Sequence, residues 1–204
     1  MSSTPHPTPF LQAIALSGGP GSSPLIRGLT HTWCAGVHWV CGDEGSGKTS
    51  LLRLLAGDLP TMSGQVKRPD GGVFWLDLKG SEHDTLTVQA CWNALQPRWP
   101  QWNEALLQEL AQALDMDRHR QKQLYMLSTG SRRKVMLIAA LSCGAAVTLL
   151  DQPFVSLDAV SINTLKGFLD EAAEHPLRTW IVADYEAPTT GSVTQVLNLD
   201  ALTS

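Results

Sequence analysis

GDEGSGKT, residues 42–49, decides how this chain is read. It fits the pattern G-x-x-x-x-G-K-[ST], and its flanks supply the context that the pattern requires. VHWVC (37–41) before it is short and apolar, as a strand should be. TSLLRLLAG (49–57) after it has helical apolar spacing and a stop at Gly57. Gly42, Gly45 and Gly47 let the backbone turn its N–H groups inward around phosphates, with Asp43, Glu44 and Ser46 between them. Lys48 is expected to contact the β- and γ-phosphates, and the Thr49 hydroxyl to hold Mg²⁺. The helix that begins at Thr49 and Ser50 adds its positive end. The expected ligand is ATP with Mg²⁺.

The second half of such a site comes a hundred residues later. LLDQPFVSLD (149–158) ends an apolar run in Asp151, as a magnesium-ordering Walker B aspartate should. In many P-loop ATPases a carboxylate follows that aspartate and activates the attacking water. Here Gln152 follows, and an amide cannot take up a proton. Upstream stands LSTGSRRK (127–134), where Ser128 is a good N-cap and Gly130 keeps the backbone open for close approach.

The whole chain agrees with one α/β unit. Its 204 residues, 43% hydrophobic and 17% charged, suit a globular domain with a real core. A net charge of -4 gives no basic patch for nucleic acid. Cys34, Cys41, Cys91 and Cys143 show no paired metal spacing and read as reduced, buried thiols. MSSTPHPTPF lacks the basic start and apolar core of a signal peptide. VMLIAALSCGAAVTLL (135–150) falls short of the roughly 20 residues a bilayer needs. It reads instead as a helix end, a turn at Gly144 and a buried strand.

Residues 1–24 are rich in Pro, Ser and Gly, with one strand at FLQAIAL. GQVKRPDGGVFWLDL (64–78) reads as a hairpin around PDGG. About 85–130 is helical, with Leu106, Leu107, Leu110 and Leu114 on one face. The VTLLD strand (147–151) follows a helix at 131–142, and TWIVAD (179–184) is a further strand. Strands alternating with helices imply a mostly parallel sheet. Trp92, Trp99 and Trp102 read as packing residues of the helical part, or as a docking surface there. His83 and His119 read as solvated. Arg132, Arg133 and Lys134 read as solvated helix-face residues, or as partners for phosphate or acids.

In this order, GDEGSGKT, LSTGS, LLDQP and SLD resemble the nucleotide-binding subunits of ABC transporters, from about residue 25 onward. LSTGS is similar to their signature, with Leu127, Ser128, Thr129, Gly130 and Ser131 in its five places. Ser156, Leu157 and Asp158 resemble their D-loop. The compact length and the DQPF string are most similar to the small ATPases of bacterial haem export in cytochrome c maturation.

The resemblance implies a single-domain P-loop NTPase spanning 1–204. It would have a RecA-like parallel sheet, a small N-terminal antiparallel β region and an inserted helical lobe. It also implies two ATPase subunits sandwiching ATP, each signature serving the partner's nucleotide, with transmembrane permease subunits beside them. Such a protein is cytoplasmic and peripheral to the membrane through those partners.

The likeness breaks down around the γ-phosphate. Gln152 replaces a glutamate. Asp184, or Tyr185 on a one-residue slip, stands where a switch histidine is expected. Asp77, Leu78 and Lys79 are nearest to a missing glutamine. SGGPGSSP (17–24) occupies the region of the adenine-stacking aromatic. Tight binding with slow turnover follows, through Lys48, Gln152 and Asp184. The signature is better kept than the chain's own site, which suggests a heterodimer with a competent second subunit. A degenerate subunit serving as a nucleotide-gated switch is the nearest alternative. An unrelated P-loop kinase or small NTPase is the other.

Overall fold

The computed structural model describes residues 11–78, 80–191 and 193–202. Residues 1–10, on which the signal-peptide reading rests, and Lys79 lie outside them.

Two sheets share the chain. β1 (Leu11–Gly18), β2 (Ile26–Trp33) and β4 (Ser63–Lys67) form an antiparallel sheet in the order β2-β1-β4. The second sheet is wholly parallel, in the order β5-β6-β7-β3-β8. Its strands are β3 (Gly36–Cys41), β5 (Val73–Phe74), β6 (Val147–Asp151), β7 (Thr179–Ala183) and β8 (Gln195–Asn198). β3, β6 and β7 are buried at every position, because a parallel sheet is covered on both faces.

Alternate residues of those strands feed two cores, as the period of two requires. Val40, Val147, Leu149 and Ile181 pack toward α1 (Lys48–Ala56) and the antiparallel sheet. Trp39, Leu150, Trp180 and Val182 pack the other way. The second core also holds residues of α2 (Val88–Leu95), α3 (Glu104–Ala113), α4 (Thr129–Ser142) and α5 (Ala159–Ala173). Among the described residues, no helix is long and apolar enough to cross a membrane.

The stretch 64–78 is not a hairpin. PDGG does turn, with Gly72 N–H donating to Pro69 O at 3.0 Å. The arms then part: β4 pairs with β1, and β5 lies parallel to β6. The apolar Phe74 is 1% exposed in the main core, whereas β4 is largely exposed, so burial rather than turn chemistry chose the partners.

The helical middle is as expected. Trp92 is fully buried and its indole N–H donates to Val135 O at 3.1 Å, tying α2 to α4. Leu107, Leu110 and Leu114 are buried beside it. Of the thiols, Cys41, Cys91 and Cys143 are buried and free, and Cys34 is half-buried. His83 and His119 are half-buried rather than solvated.

Candidate nucleotide site

Strand register brings the site together. Val40 and Asp151 both pair with Ala183, so three chain segments leave the sheet at one level. They are the loop at Gly42, the turn at Gln152 and the turn at Asp184. Ligand sites of open α/β sheets form at this carboxyl edge.

The phosphate loop is braced from both sides. Gly42 N–H donates to Tyr185 O at 3.3 Å, and Asp43 N–H donates to the Asp200 carboxylate at 2.9 Å. Gly42 has φ 149°, and a Cβ there would stand 2.7 Å from Ser46 Oγ. Gly47 caps α1 in the left-handed region at φ 98°. Lys48 is 6% exposed, and its ammonium donates to Gly42 O at 2.6 Å and Asp43 O at 2.7 Å. The Tyr185 ring lies 4.8 Å from the same Nζ.

The Thr49 hydroxyl donates to Asp151 Oδ2 at 3.0 Å. A hydroxyl and a carboxylate side by side are the hard oxygen donors Mg²⁺ prefers, with room left for phosphate oxygens and water. These residues fit the ion. Among the described residues there is no cluster of three or more His, Cys, Asp or Glu suited to a metal.

Gln152 follows with φ 45°, a left-handed conformation uncommon outside glycine. Its N–H donates to Ala183 O at 2.8 Å, and its carbonyl accepts from the Arg133 guanidinium. Beside this turn opens a cleft of about 400 Å³, lined by Leu76, Asp77, Thr129, Arg133, Met136 and Asp151 among others. Asp77 and Leu78 therefore stand near Asp151.

Asp184 lies just past β7, with its carboxylate accepting from Tyr185 N–H at 2.8 Å. Of the two residues weighed for the switch position, Tyr185 is the one lying over Lys48.

At the signature, Ser128 caps α4 as expected, its hydroxyl oxygen accepting from Ser131 N–H at 3.2 Å. Ser128 and Thr129 are exposed at the helix start, and Leu127, Gly130 and Ser131 are half-buried. Gly130 packs on the turn at Ser156: a Cβ there would run into Ser156 O. Ser156 itself has φ 63°. Asp158 caps α5 through Ser161 N–H at 2.9 Å and pairs with Lys134 at 2.6 Å. Lys134 and the Ser161 donors hold its carboxyl well below the usual carboxylate range.

Arg132, Arg133 and Lys134 are thus not solvated: they bond Asp84, the Gln152 carbonyl and Asp158. Asp200 and the Arg133 bond to the Gln152 carbonyl carried no signal in the sequence, because neither belongs to a local motif.

A phosphate loop, a paired Thr–Asp and a capped helix at the carboxyl edge of a parallel sheet define a P-loop nucleotide-binding fold. The ABC transporter family model matches residues 33–155. The cytochrome c biogenesis ATP-binding export protein CcmA of Pseudomonas syringae pv. tomato is 33% identical over 184 residues, 84% of this chain and 85% of that one. The taurine import ATP-binding protein TauB of Pseudomonas fluorescens is 27% identical, over 95% of this chain and 77% of its own. An ABC transporter ATP-binding protein of Pyrococcus furiosus superposes with TM-score 0.74 at 24% identity, covering 94% of this chain and 98% of that one. The chain belongs to the ABC transporter family, as one of its ATP-binding subunits.

Proposed function

We propose that this subunit binds MgATP firmly on its own phosphate loop and hydrolyses it slowly. The observation that carries this is the contrast between two neighbours. Asp151 is held against Thr49 at 3.0 Å, as metal binding needs, while Gln152 offers an amide where a base should stand. Lys48 would exchange its bonds to the Gly42 and Asp43 carbonyls for phosphate oxygens. Thr49 and Asp151 would hold Mg²⁺, which neutralises phosphate charge when bound. Gln152 can orient a water through its amide but cannot remove a proton from it, so positioning and charge carry what turnover remains.

Ser128, Thr129 and Gly130 at the α4 N-terminus are suited to the γ-phosphate of a second ATPase subunit. We infer a dimer closing over ATP, with the competent site on a second, different subunit. Permease subunits would hold the pair at the inner face of the membrane. The likeness to CcmA favours export linked to cytochrome c biogenesis.

Light scattering on the purified chain with and without MgATP tests the dimer, with Lys48→Ala as control. ATP-dependent association only when a second ABC ATPase subunit is added supports the heterodimer. An active ATP-bound homodimer of this chain overturns it.

A further inference from the structure

One face of α4 grips the whole turn from Gln152 to Asp158. Gly130, Arg133 and Lys134 stand three and four residues apart and so share that face. Gly130 lies against Ser156 O, and Lys134 pairs with Asp158. Between them, Arg133 donates from Nη1 to Gln152 O and, at 3.4 Å, to Asp151 O. Of the three, Arg133 also lines the cleft that holds Asp77 and Asp151.

We propose that Arg133 is a positioning residue of the nucleotide site. Its guanidinium fixes the Asp151–Gln152 turn through the two carbonyls, and its charge offsets Asp77, Asp151 and Asp184 where a triphosphate must be received. The proposal rests on the nucleotide-site reading above.

Carboxylates at Asp77 and Asp184 add negative charge at the edge that must hold phosphates, and repulsion of this kind weakens anion binding directly. Arg133 lines one cleft with Asp77 and Asp151, and Asp184 follows Ala183, whose carbonyl accepts from the N–H of the same Gln152 that Arg133 holds, so the three carboxylates gather around this turn. A guanidinium stays charged in such surroundings and can bond peptide carbonyls at the same time.

The test is MgATP affinity by calorimetry, with thermal melts to check folding. The variants are Arg133→Gln, Arg133→Lys, Asp184→Asn and the double Arg133→Gln/Asp184→Asn, beside the unmodified chain and Lys48→Ala. Arg133→Gln should weaken binding about tenfold, and adding Asp184→Asn should recover most of the loss. Arg133→Lys should fall between, because it keeps the charge without the planar fork.

Wild-type affinity in Arg133→Gln, or a loss that Asp184→Asn leaves untouched, overturns the proposal. Where Arg133→Gln does not fold, Asp184→Asn alone decides: tighter MgATP binding supports the proposal, and unchanged affinity overturns it. An unmodified chain that binds no better than Lys48→Ala defeats the nucleotide-site reading itself, and the inference falls with it.

Discussion

The Thr49 hydroxyl hydrogen-bonds a carboxylate oxygen of Asp151 at 3.0 Å across 102 residues of chain. This contact joins the helix after the phosphate loop to the end of β6. It gives the site two hard oxygens before any ligand arrives, so little rearrangement is needed for Mg²⁺ to bind. Removing the hydroxyl should therefore cost metal-dependent affinity and little else. Thr49→Ala is expected to weaken MgATP binding about tenfold while changing metal-free ATP binding much less, which titrations with and without Mg²⁺ would reveal. Equal losses in both titrations would show that Thr49 acts on the loop and not on the metal.

Gly130 has no room for a side chain. A methyl group there would meet the Ser156 carbonyl, a backbone atom that cannot swing aside. Gly130→Ala should destabilise the fold by about 1–3 kcal/mol through overpacking. Denaturant unfolding of the two proteins measures it, and an unchanged midpoint would mean that the turn at Ser156 yields freely.

Trp92 fastens the helical lobe. It is 1% exposed and donates to Val135 O on α4. Trp92→Ala should cost about 3–5 kcal/mol. Trp92→Phe, which keeps most of the bulk but leaves the carbonyl unbonded, should cost about 1–3 kcal/mol. Chemical denaturation would separate the two, and comparable losses would argue that the hydrogen bond to Val135, rather than the bulk of the ring, carries the effect.

Acid should loosen the seam between the two sheets. His38 on β3 and His31 on β2 are both pulled below the ordinary imidazole range, chiefly by burial. The unfolded chain then takes up protons that the folded chain resists, so stability is full above the unfolded pKa of about 6.5 and declines as pH falls below it. Asp158, also depressed, loses its contribution only at much lower pH. Melting temperatures should drop between pH 7 and pH 5, and the drop should shrink in His38→Gln. A flat profile in the unmodified chain would contradict this.

Much of this arrangement was legible in the sequence because it is local. GDEGSGKT between an apolar strand and a periodic helix, Ser128 before α4, and Asp151 ending an apolar run each carry their own context within ten residues. The 64–78 stretch misled because PDGG specifies a turn but not the sheet that each arm joins. The bracing of Asp43 by Asp200, 157 residues away, and the Arg133 bond to the Gln152 carbonyl leave no periodicity or motif to find. The ring of Tyr185 over Lys48 depends on where β7 ends, which apolar patterning alone does not fix to the residue.

The central claim is a site built to bind and poorly built to hydrolyse. Steady-state ATPase turnover of the purified chain beside Gln152→Glu, with Lys48→Ala as background, tests it most directly. The account predicts an unmodified chain barely above Lys48→Ala and a rise toward roughly 10²-fold in Gln152→Glu. An unmodified chain that turns over as fast as Gln152→Glu, with Lys48→Ala silent, would contradict it.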